Sequence, residues 1–288
     1  PATEAAVWQA MGDAAFAIHQ FRDAKEYFQN AVKSSEVAFG ESDTRIAAAL
    51  YNVALAQSSA EDAKSLNLVK ITLERADTLA GEQVNKTSEL ALLAARAHAG
   101  YHATEREPAL ALPYLEKTAS LLQRLRPEAR LGRFSVQSQI TEALLRQGKP
   151  EAAMKRAQSL IQQMDQTPTD GGQELRANVQ MMLARSLRAL HRFDEAVRAA
   201  ELALENAASV NPDSRTVLLI RSQLAAIYDE AGDCEQSLEV MREVSAEATR
   251  LVGLNNRFTL IENGNLGFKE YECGDPAVGL ALVEEVGE

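Results

Sequence analysis

The sequence predicts an all-α protein, an α-solenoid of about seven helix–turn–helix hairpins wound into a right-handed superhelix. The first observation is a small or compact residue that returns along the whole chain at a nearly constant spacing. The second is the spacing of apolar residues by three and four within each repeat, which is the helical pattern. The third is the composition: alanine is abundant, and only 15 Gly and 8 Pro are present, which favours helices over a turn-rich β-fold.

The recurring residue is predicted to open the second helix of each hairpin, and successive members are 41 to 45 residues apart. These positions are Ala24, Val69, Ala111, Ala153, Ala196, Ser237 and Gly279. A fixed period in this range is typical of stacked supersecondary units, each of which cannot bury its apolar face alone. We therefore predict a single solenoid over residues 1–288 rather than the two domains that the length alone suggests.

The first three hairpins are predicted over residues 3–39, 42–81 and 84–126. The first has the clearest pattern, whereas in the second the stretch 66–76 is out of phase by one helical turn. In the third, Pro108 and Pro113 lie close together, and a helix interior should avoid the second of them. We therefore expect a kink or a late helix start near Pro113.

The remaining hairpins are predicted over residues 128–166, 170–209, 212–252 and 255–287. Glycine at 148, 232 and 274 supplies the tight turn between the two helices in three of them. Pro150 and Pro276 follow two residues later, where the missing N–H of a first helical turn costs nothing.

These slots resemble the tetratricopeptide repeat, whose signature places Trp, Leu-Gly and Tyr in the first helix and Ala, Phe and Ala in the second. The matching residues are Trp8, Met11, Gly12, Ala24, Phe28 and Ala31 in the first hairpin, Leu183, Ala184, Phe193, Ala196 and Ala203 in the fifth, Leu224, Ala225 and Tyr228 in the sixth, and Leu266, Gly267 and Tyr271 in the seventh. The usual repeat has about 34 residues. The longer repeat here is similar to the kinesin-light-chain kind, which is also common in bacterial signalling proteins. The resemblance implies that most signature residues are packing positions.

The resemblance further implies that the first helices line a concave face that binds a peptide or a helix of another protein. In the kinesin-light-chain kind, an asparagine just before the Leu-Ala pair hydrogen-bonds the main chain of the peptide. An amide suits this role because it donates and accepts at once. That slot holds Asn52, Gln139, Gln223 and Asn265, whereas Ala10 and Met182 interrupt the series. The alternative is that these are ordinary solvated polar residues.

The neighbouring slots on the same face carry a charge pattern followed by two aromatic residues. They are Arg146, Arg185 and Arg188, then Asp229 and Glu230, then Phe268 and Tyr271. A basic strip beside aromatics could hold an acidic or C-terminal segment, and the alternative is an ordinary mixed-charge surface. The Lys and Asn of the carboxylate clamp in chaperone-tail readers are replaced by Gln9 and Asp13, so that clamp is not expected.

Charge and composition exclude several function classes. A formal charge of -11 disfavours nucleic acid, and no apolar run is long enough for membrane insertion. No catalytic motif is present, so we expect no enzyme and no cofactor. His98 and His102 have a spacing that can hold a metal, but no third ligand is evident, so we expect no metal site.

Two cysteines, Cys234 and Cys273, are predicted at the turn edge of adjacent hairpins. A disulfide needs Cα atoms within about 7 Å, which this arrangement permits only marginally. We therefore expect two free thiols, with a bond as the alternative.

The favoured function is a non-catalytic protein- or peptide-binding scaffold, the sensor or docking region of a larger bacterial signalling or regulatory protein. One alternative is a self-association module, a homodimer formed through an uncapped C-terminal end. A small-molecule sensor is ranked last because the sequence indicates no convergent pocket. The expected location is the bacterial cytoplasm, or the periplasm if a membrane helix precedes the segment in its parent protein.

Overall fold

The structure, a computed structural model, describes residues 1–60, 66–169 and 171–287, with side chains through residue 284. Over these residues the chain forms fourteen α-helices, one short 3-10 helix and no strand, which confirms the predicted all-α class. No helix among them is long and apolar enough to span a bilayer. The predicted start of the fifth repeat, at residue 170, lies outside the described residues.

The chain divides into two compact units, Pro1–Gln147 and Gly148–Glu288, here called unit 1 and unit 2. The helices of unit 1 are α1 Ala2–Ala17, α2 Phe21–Phe39, α3 Arg45–Ser59, α4 Leu66–Ala80, α5 Glu89–Thr104, α6 Pro108–Leu125 and α7 Arg130–Arg146, with the 3-10 helix Gly81–Asn85 before α5. Those of unit 2 are α8 Pro150–Gln166, α9 Gly172–Ala189, α10 Phe193–Val210, α11 Arg215–Glu230, α12 Cys234–Val252, α13 Arg257–Cys273 and α14 Pro276–Gly287. A single solenoid over the whole chain stays a prediction.

Within each unit, every helix packs against the next one along the chain. In unit 1, α3 also packs against α5, and in unit 2, α9 contacts α11, so first helices of successive hairpins are neighbours. The small or compact residue predicted to open each second helix is buried in every hairpin, including Val69 in the irregular second one. A larger side chain there would separate the two helices, which explains why the position recurs.

The core of unit 1 shows how one signature pair works. Phe28 on α2 is only 2% exposed, and its ring lies directly over Gly12 on α1, where a Cβ atom would collide with it. Trp8 is partly buried in the same cluster and stacks on Tyr27 with ring centroids 6.0 Å apart. The signature residues of this hairpin are therefore packing positions, as expected.

Most hairpin turns share one backbone feature that the sequence shows only in part. A residue with a left-handed backbone stands two positions before the second helix in five hairpins, at His19, Arg106, Gly148, His191 and Gly232. This conformation favours glycine, because other side chains strain it. The edges of the His19 and His191 rings pack against Phe21 and Phe193, with centroids 5.6 and 5.7 Å apart. These contacts help to offset the strain.

The structure bears on two sequence expectations about individual residues. The helix α6 begins at Pro108 and continues through Pro113, so there is no late start; the kink stays a prediction. Pro113 removes only the bond to the carbonyl of Ala109, one turn from the helix start, so the loss is local. In the seventh hairpin, Tyr271 is 57% exposed and the packing slot before it holds Glu270, which is 3% exposed.

The expectation of two free thiols is also wrong, because the structure joins Cys234 and Cys273 in a disulfide. Cys234 begins α12 and Cys273 ends α13, and their Cα atoms are 6.3 Å apart. This distance lies within the range that a disulfide allows. The start of α12 and the end of α13 are thus covalently linked.

The last two helices approach each other closely at a pair of glycines. Gly267 on α13 faces Gly279 on α14, and a Cβ atom on Gly279 would lie 2.6 Å from the carbonyl oxygen of Gly267. Neither position can hold a side chain without moving the helices apart. At the recurring position of the seventh hairpin, Gly279 therefore leaves no room for a side chain.

Candidate functional site

A groove in unit 1 combines apolar walls with several charged and polar side chains. Its volume is about 600 Å³, within the range of pockets that bind small molecules. The walls come mainly from the N-terminal halves of α1, α3 and α5, the first helices of three hairpins, and from the end of α2. The lining residues used below are Gln9, Asp13, Arg45, Asn52, Glu89, Arg96 and Arg126.

Asn52 is the one predicted binding residue that lines this groove. It projects from α3, and its side chain and backbone together are only 9% exposed. Its side-chain amide makes no hydrogen bond to another described residue, and neither of its polar atoms is among the fully buried unpaired ones, so the amide is open to the groove. The position is therefore prepared for a partner from outside the chain.

Three arginines line the groove, and two of them are held by carboxylates. Arg45 donates from Nε and Nη2 to the carboxylate of Asp43, both at 2.8 Å. Arg126 donates to Glu89 at 3.1 and 2.7 Å. Arg96, on α5, has no ion pair or hydrogen bond from its side chain within the described part of the chain.

The carboxylate of Asp13 attracts Arg96 electrostatically, although the two side chains form no ion pair. Gln9 donates a hydrogen bond to Asp13 at 3.1 Å. Burial raises the pKa of Asp13 above its usual value, although Gln9 and Arg96 oppose that change. The residues expected to replace a carboxylate clamp, Gln9 and Asp13, thus do line the groove but bond to each other.

The other predicted binding residues do not line the groove of unit 1. In unit 1, Gln139 and Arg146 are exposed on α7, and Arg146 pairs with Glu142 at 2.8 Å. In unit 2, Arg185 and Arg188 are half-buried on α9, and Arg188 lies 3.6 Å from Glu230 on α11. Their role in binding stays a prediction.

The first helices α11 and α13 bring the remaining candidates to neighbouring positions in unit 2. Gln223 is half-buried on α11, while Asn265 and Phe268 are exposed on α13. Asp229 on α11 forms an ion pair with Lys269 on α13, so it does not stand free. Tyr271, one turn after Phe268 on α13, is exposed as well, so this face offers two aromatic rings and two amides rather than a charged pocket.

Beneath this face, α13 buries charged residues that the sequence pattern did not indicate. Lys269 pairs with Glu272 at 2.6 Å, and Glu270 accepts from Arg242 at 2.6 and 2.9 Å. Glu262 accepts from the hydroxyl of Ser222 at 3.0 Å. Because each buried charge has a partner, this network supports the packing of α13 and needs no ligand.

Glu262 gives a pH-dependent prediction. Burial raises its pKa above the usual 4.5, and hydrogen bonds from Ser222 and Asn265 only partly oppose this effect. A raised folded-state pKa means that the folded protein holds the proton more strongly, so stability is lost as pH rises through that pKa. Glu262→Gln is therefore expected to be more stable than the natural chain at pH 7, with the difference vanishing near pH 4.

Urea titrations at several pH values would measure this difference. Glu239→Gln, at an exposed position of the neighbouring α12, is the matched control and should show no such trend. A stability difference for Glu262→Gln that grows toward low pH would contradict the prediction.

The histidine pair noted in the sequence has structural partners. His98 lies 3.1 Å from both oxygens of Asp77, and His102 lies 3.1 Å from Glu107. Both rings stack on Tyr114, with centroids 4.7 and 5.6 Å away. Among the described residues, no group of three His, Cys, Asp or Glu side chains could hold a metal ion.

Comparison with known proteins identifies the repeat. Residues 175–246 match the model of the tetratricopeptide repeat family. The apo form of RapI has a similar fold, with TM-score 0.70 and 12% identity over 98% of this chain and 75% of that one. The signal transduction ATPase of Pyrococcus horikoshii with a tetratricopeptide repeat sensor has TM-score 0.68 and 13% identity, over 97% and 41%. A Podosopora anserina protein described as a kinesin light chain with nearly identical TPR-like repeats has TM-score 0.57 and 20% identity, over 68% and 93%.

The family match covers two hairpins of unit 2, and nearly the whole chain shares its hairpin fold with the solved structures above. The repeats of this chain are similar to the longer, kinesin-light-chain kind, which confirms the resemblance inferred from the signature residues. Among proteins of curated function, none matches this sequence.

Proposed function

We propose that this chain is a non-catalytic scaffold that binds an extended segment of a partner protein in the groove of unit 1. It would serve as the sensor or docking region of a larger bacterial signalling protein. The observation that carries the proposal is the Asn52 side chain, nine-tenths buried in the groove and without a partner among the described residues. None of the groove contacts assembles a nucleophile with a base, as catalysis of group transfer would need.

An extended peptide supplies hydrogen-bond partners for the side-chain amide of Asn52. Each peptide group offers one N–H donor and one carbonyl acceptor, and the amide of Asn52 can pair with both. Hydrogen bonds to a bound main chain would replace those that the amide makes with water in the free protein, each with a net value of about 0.5–1.5 kcal/mol. The alanine and leucine side chains on the walls, such as Ala49 and Leu93, can take up apolar side chains of the peptide.

Two structures of similar fold support a ligand-binding role. One is a Rap protein complexed with Competence and Sporulation Factor, with TM-score 0.68 and 13% identity over 99% of this chain and 76% of that one. The other is the tetratricopeptide repeat sensor of the Pyrococcus horikoshii ATPase. If this chain shares the role of these two proteins as it shares their fold, its stacked hairpins bind a ligand.

Self-association is the second candidate, and exposed apolar residues on the last hairpin favour it. Val278 and Leu280 on α14 and Phe268 on α13 are each between two-fifths and two-thirds exposed. A second copy of the chain could cover these residues in a homodimer. Light scattering over a hundredfold concentration range separates the candidates, because only self-association makes the mass rise with concentration.

The peptide proposal is tested by selecting a phage-displayed random peptide library on the whole chain and titrating the enriched peptides. We expect Asn52→Ala to weaken the selected peptides at least tenfold, because it removes both hydrogen bonds to the main chain. The variant should fold as stably as the natural chain, since it deletes a buried amide that has no internal partner.

Asn178→Ala is the matched control, because it removes the same side chain from an exposed position of α9, outside this groove. It should leave binding unchanged. Selected peptides that bind Asn52→Ala as tightly as the natural chain would contradict the groove assignment. A selection that yields no peptide, together with a thermal shift from a small metabolite, would favour the small-molecule sensor instead.

A further inference from the structure

We propose that the disulfide between Cys234 and Cys273 is a redox switch. When closed, the bond holds the last hairpin, α13 and α14, on α12, and when a dithiol reduces it, that hairpin is released. The switch belongs to unit 2 and does not depend on the peptide-binding function proposed for unit 1.

The bond is open to reagents in solution. Cys273 is exposed at the end of α13, and Cys234 is half-buried at the start of α12. Accessible disulfides exchange with external thiols, whereas access limits the exchange of buried ones. The sequence holds no other cysteine, so the two thiols formed by reduction can re-form only this bond within the chain.

The surface that α13 buries is mostly polar. Its buried residues are Phe258, Thr259, Glu262, Asn263, Leu266, Gly267, Lys269 and Glu270. Only Phe258 and Leu266 among them are large and apolar, whereas every buried residue of α11 is apolar. Because apolar burial is the main favourable contribution to packing, α13 is weakly held by its own contacts.

The polar contacts between α12 and α13 satisfy buried groups but contribute little net free energy. Arg242 donates to Glu270 at 2.6 and 2.9 Å, and Ser245 donates to Asn263 at 2.7 Å. When such groups separate into water, their regained hydration offsets most of the lost attraction. The buried hydroxyl of Thr259 has no partner within the described part of the chain, so exposure to water would relieve a cost.

The covalent bond therefore decides whether α13 stays in place. It joins residues 39 positions apart, so it excludes most conformations in which α13 lies away from α12. It lies where α13 ends, one residue before the turn at Gly274 that leads into α14. Opening it frees both helices of the last hairpin together.

Release would change the surface of α12. Leu238 is 7% exposed, and a Cβ atom added to Gly274 would lie 2.9 Å from its side chain, so the turn after α13 covers this leucine. Val244 on α12 is 1% exposed and belongs to a cluster with Phe258 of α13. Reduction would thus expose apolar side chains of α12 that the closed bond keeps covered.

The reaction is an exchange with a dithiol as the reductant. A thiolate of the dithiol attacks Sγ of Cys273, the more exposed sulfur, and the bond to Cys234 breaks. Cys234 leaves as a thiolate and takes up a proton. The second thiol of the reductant then attacks the mixed disulfide, so Cys273 leaves as a thiol and the reductant becomes a disulfide. Two electrons pass to the protein, and an external disulfide reverses each step.

Hydrogen exchange of the whole chain, read by mass spectrometry, tests the switch. The oxidised protein is compared with protein reduced by dithiothreitol. We expect the amides of α13 and α14 to exchange about a hundredfold faster after reduction, while those of α9 and α10 keep their rates. Treatment with glutathione disulfide should restore slow exchange.

Two variants separate the bond from its surroundings. Cys234→Ser/Cys273→Ser should exchange like the reduced protein and should not respond to dithiothreitol. Arg242→Gln/Glu270→Gln is the control, because it removes the ion pair between the same two helices without leaving a charge unpaired. With the disulfide closed, it should keep the slow exchange of α13.

Three results would each overturn the switch. Equal exchange of α13 in the oxidised and reduced protein would show that its other contacts suffice. Faster exchange throughout α8–α14 after reduction would make the bond a staple of the whole unit. A bond that stays closed in about a hundredfold excess of reduced over oxidised glutathione would be a permanent link.

Discussion

Replacing Phe28 with alanine is expected to lower the free energy of unfolding of unit 1 by about 3–5 kcal/mol. The ring is 2% exposed and covers Gly12, so its removal leaves a cavity between α1 and α2 that backbone atoms cannot fill. Fluorescence of Trp8, the one tryptophan of the sequence, would follow the loss, because it packs in the same cluster. A urea titration read at this residue gives the change directly.

Phe268→Ala is the control for Phe28→Ala. It deletes the same ring from α13, where the side chain is 65% exposed and contributes little packing. We expect a change within about 0.5 kcal/mol. Similar effects for the two variants would show that the signature aromatic residue is not the centre of the first hairpin.

Gly279→Val is expected to cost about 3 kcal/mol in the last hairpin, the upper end of the range for overpacking. The new Cβ would lie 2.6 Å from the carbonyl oxygen of Gly267 and 2.7 Å from the backbone nitrogen of Tyr271. Both are backbone atoms, so no side chain can rotate away and α14 must move off α13. Hydrogen exchange of α14 should accelerate about a hundredfold, at 1.4 kcal/mol for each factor of ten.

Gly132→Ala provides the comparison for this glycine. It lies in α7, where a Cβ atom would meet nothing within 4 Å. Alanine there is expected to raise stability by up to about 1 kcal/mol, because it is the better helix former. If Gly279→Val left the exchange of α14 unchanged, the close approach of the two helices would be contradicted.

Those parts of the fold that depend on local spacing could be predicted from the sequence. A buried slot such as Ala24 or Val69 returns at a fixed period because every hairpin meets the same steric limit. The left-handed backbone at His191 was not predicted, because no glycine stands at that position. The buried position near the end of α13 was assigned to the wrong residue. Glu270 fills it although it is charged, whereas the adjacent Tyr271, which the pattern favoured, is exposed.

Only those residues of the candidate site whose position is fixed within a single helix could be predicted from the sequence. Asn52 was found because its slot is fixed relative to its own helix, and the structure places it in the groove. Arg96 was missed because the third hairpin departs from the repeat pattern, so its slots could not be aligned. That two neighbouring arginines have carboxylates and Arg96 has none depends on contacts between separate helices, which spacing along the chain does not show.

The link between Cys234 and Cys273 changes how the chain would respond to a pulling force. The two residues are 39 positions apart, and nearly all of α12 and α13 lies between them. Tension applied to the two ends of the chain passes through the sulfur–sulfur bond and bypasses that segment. Roughly 130 Å of contour, at about 3.4 Å per residue, would stay hidden until a reductant opened the bond. The helices α12 and α13 would then extend only after a chemical event, whereas the other described helices would yield to force alone.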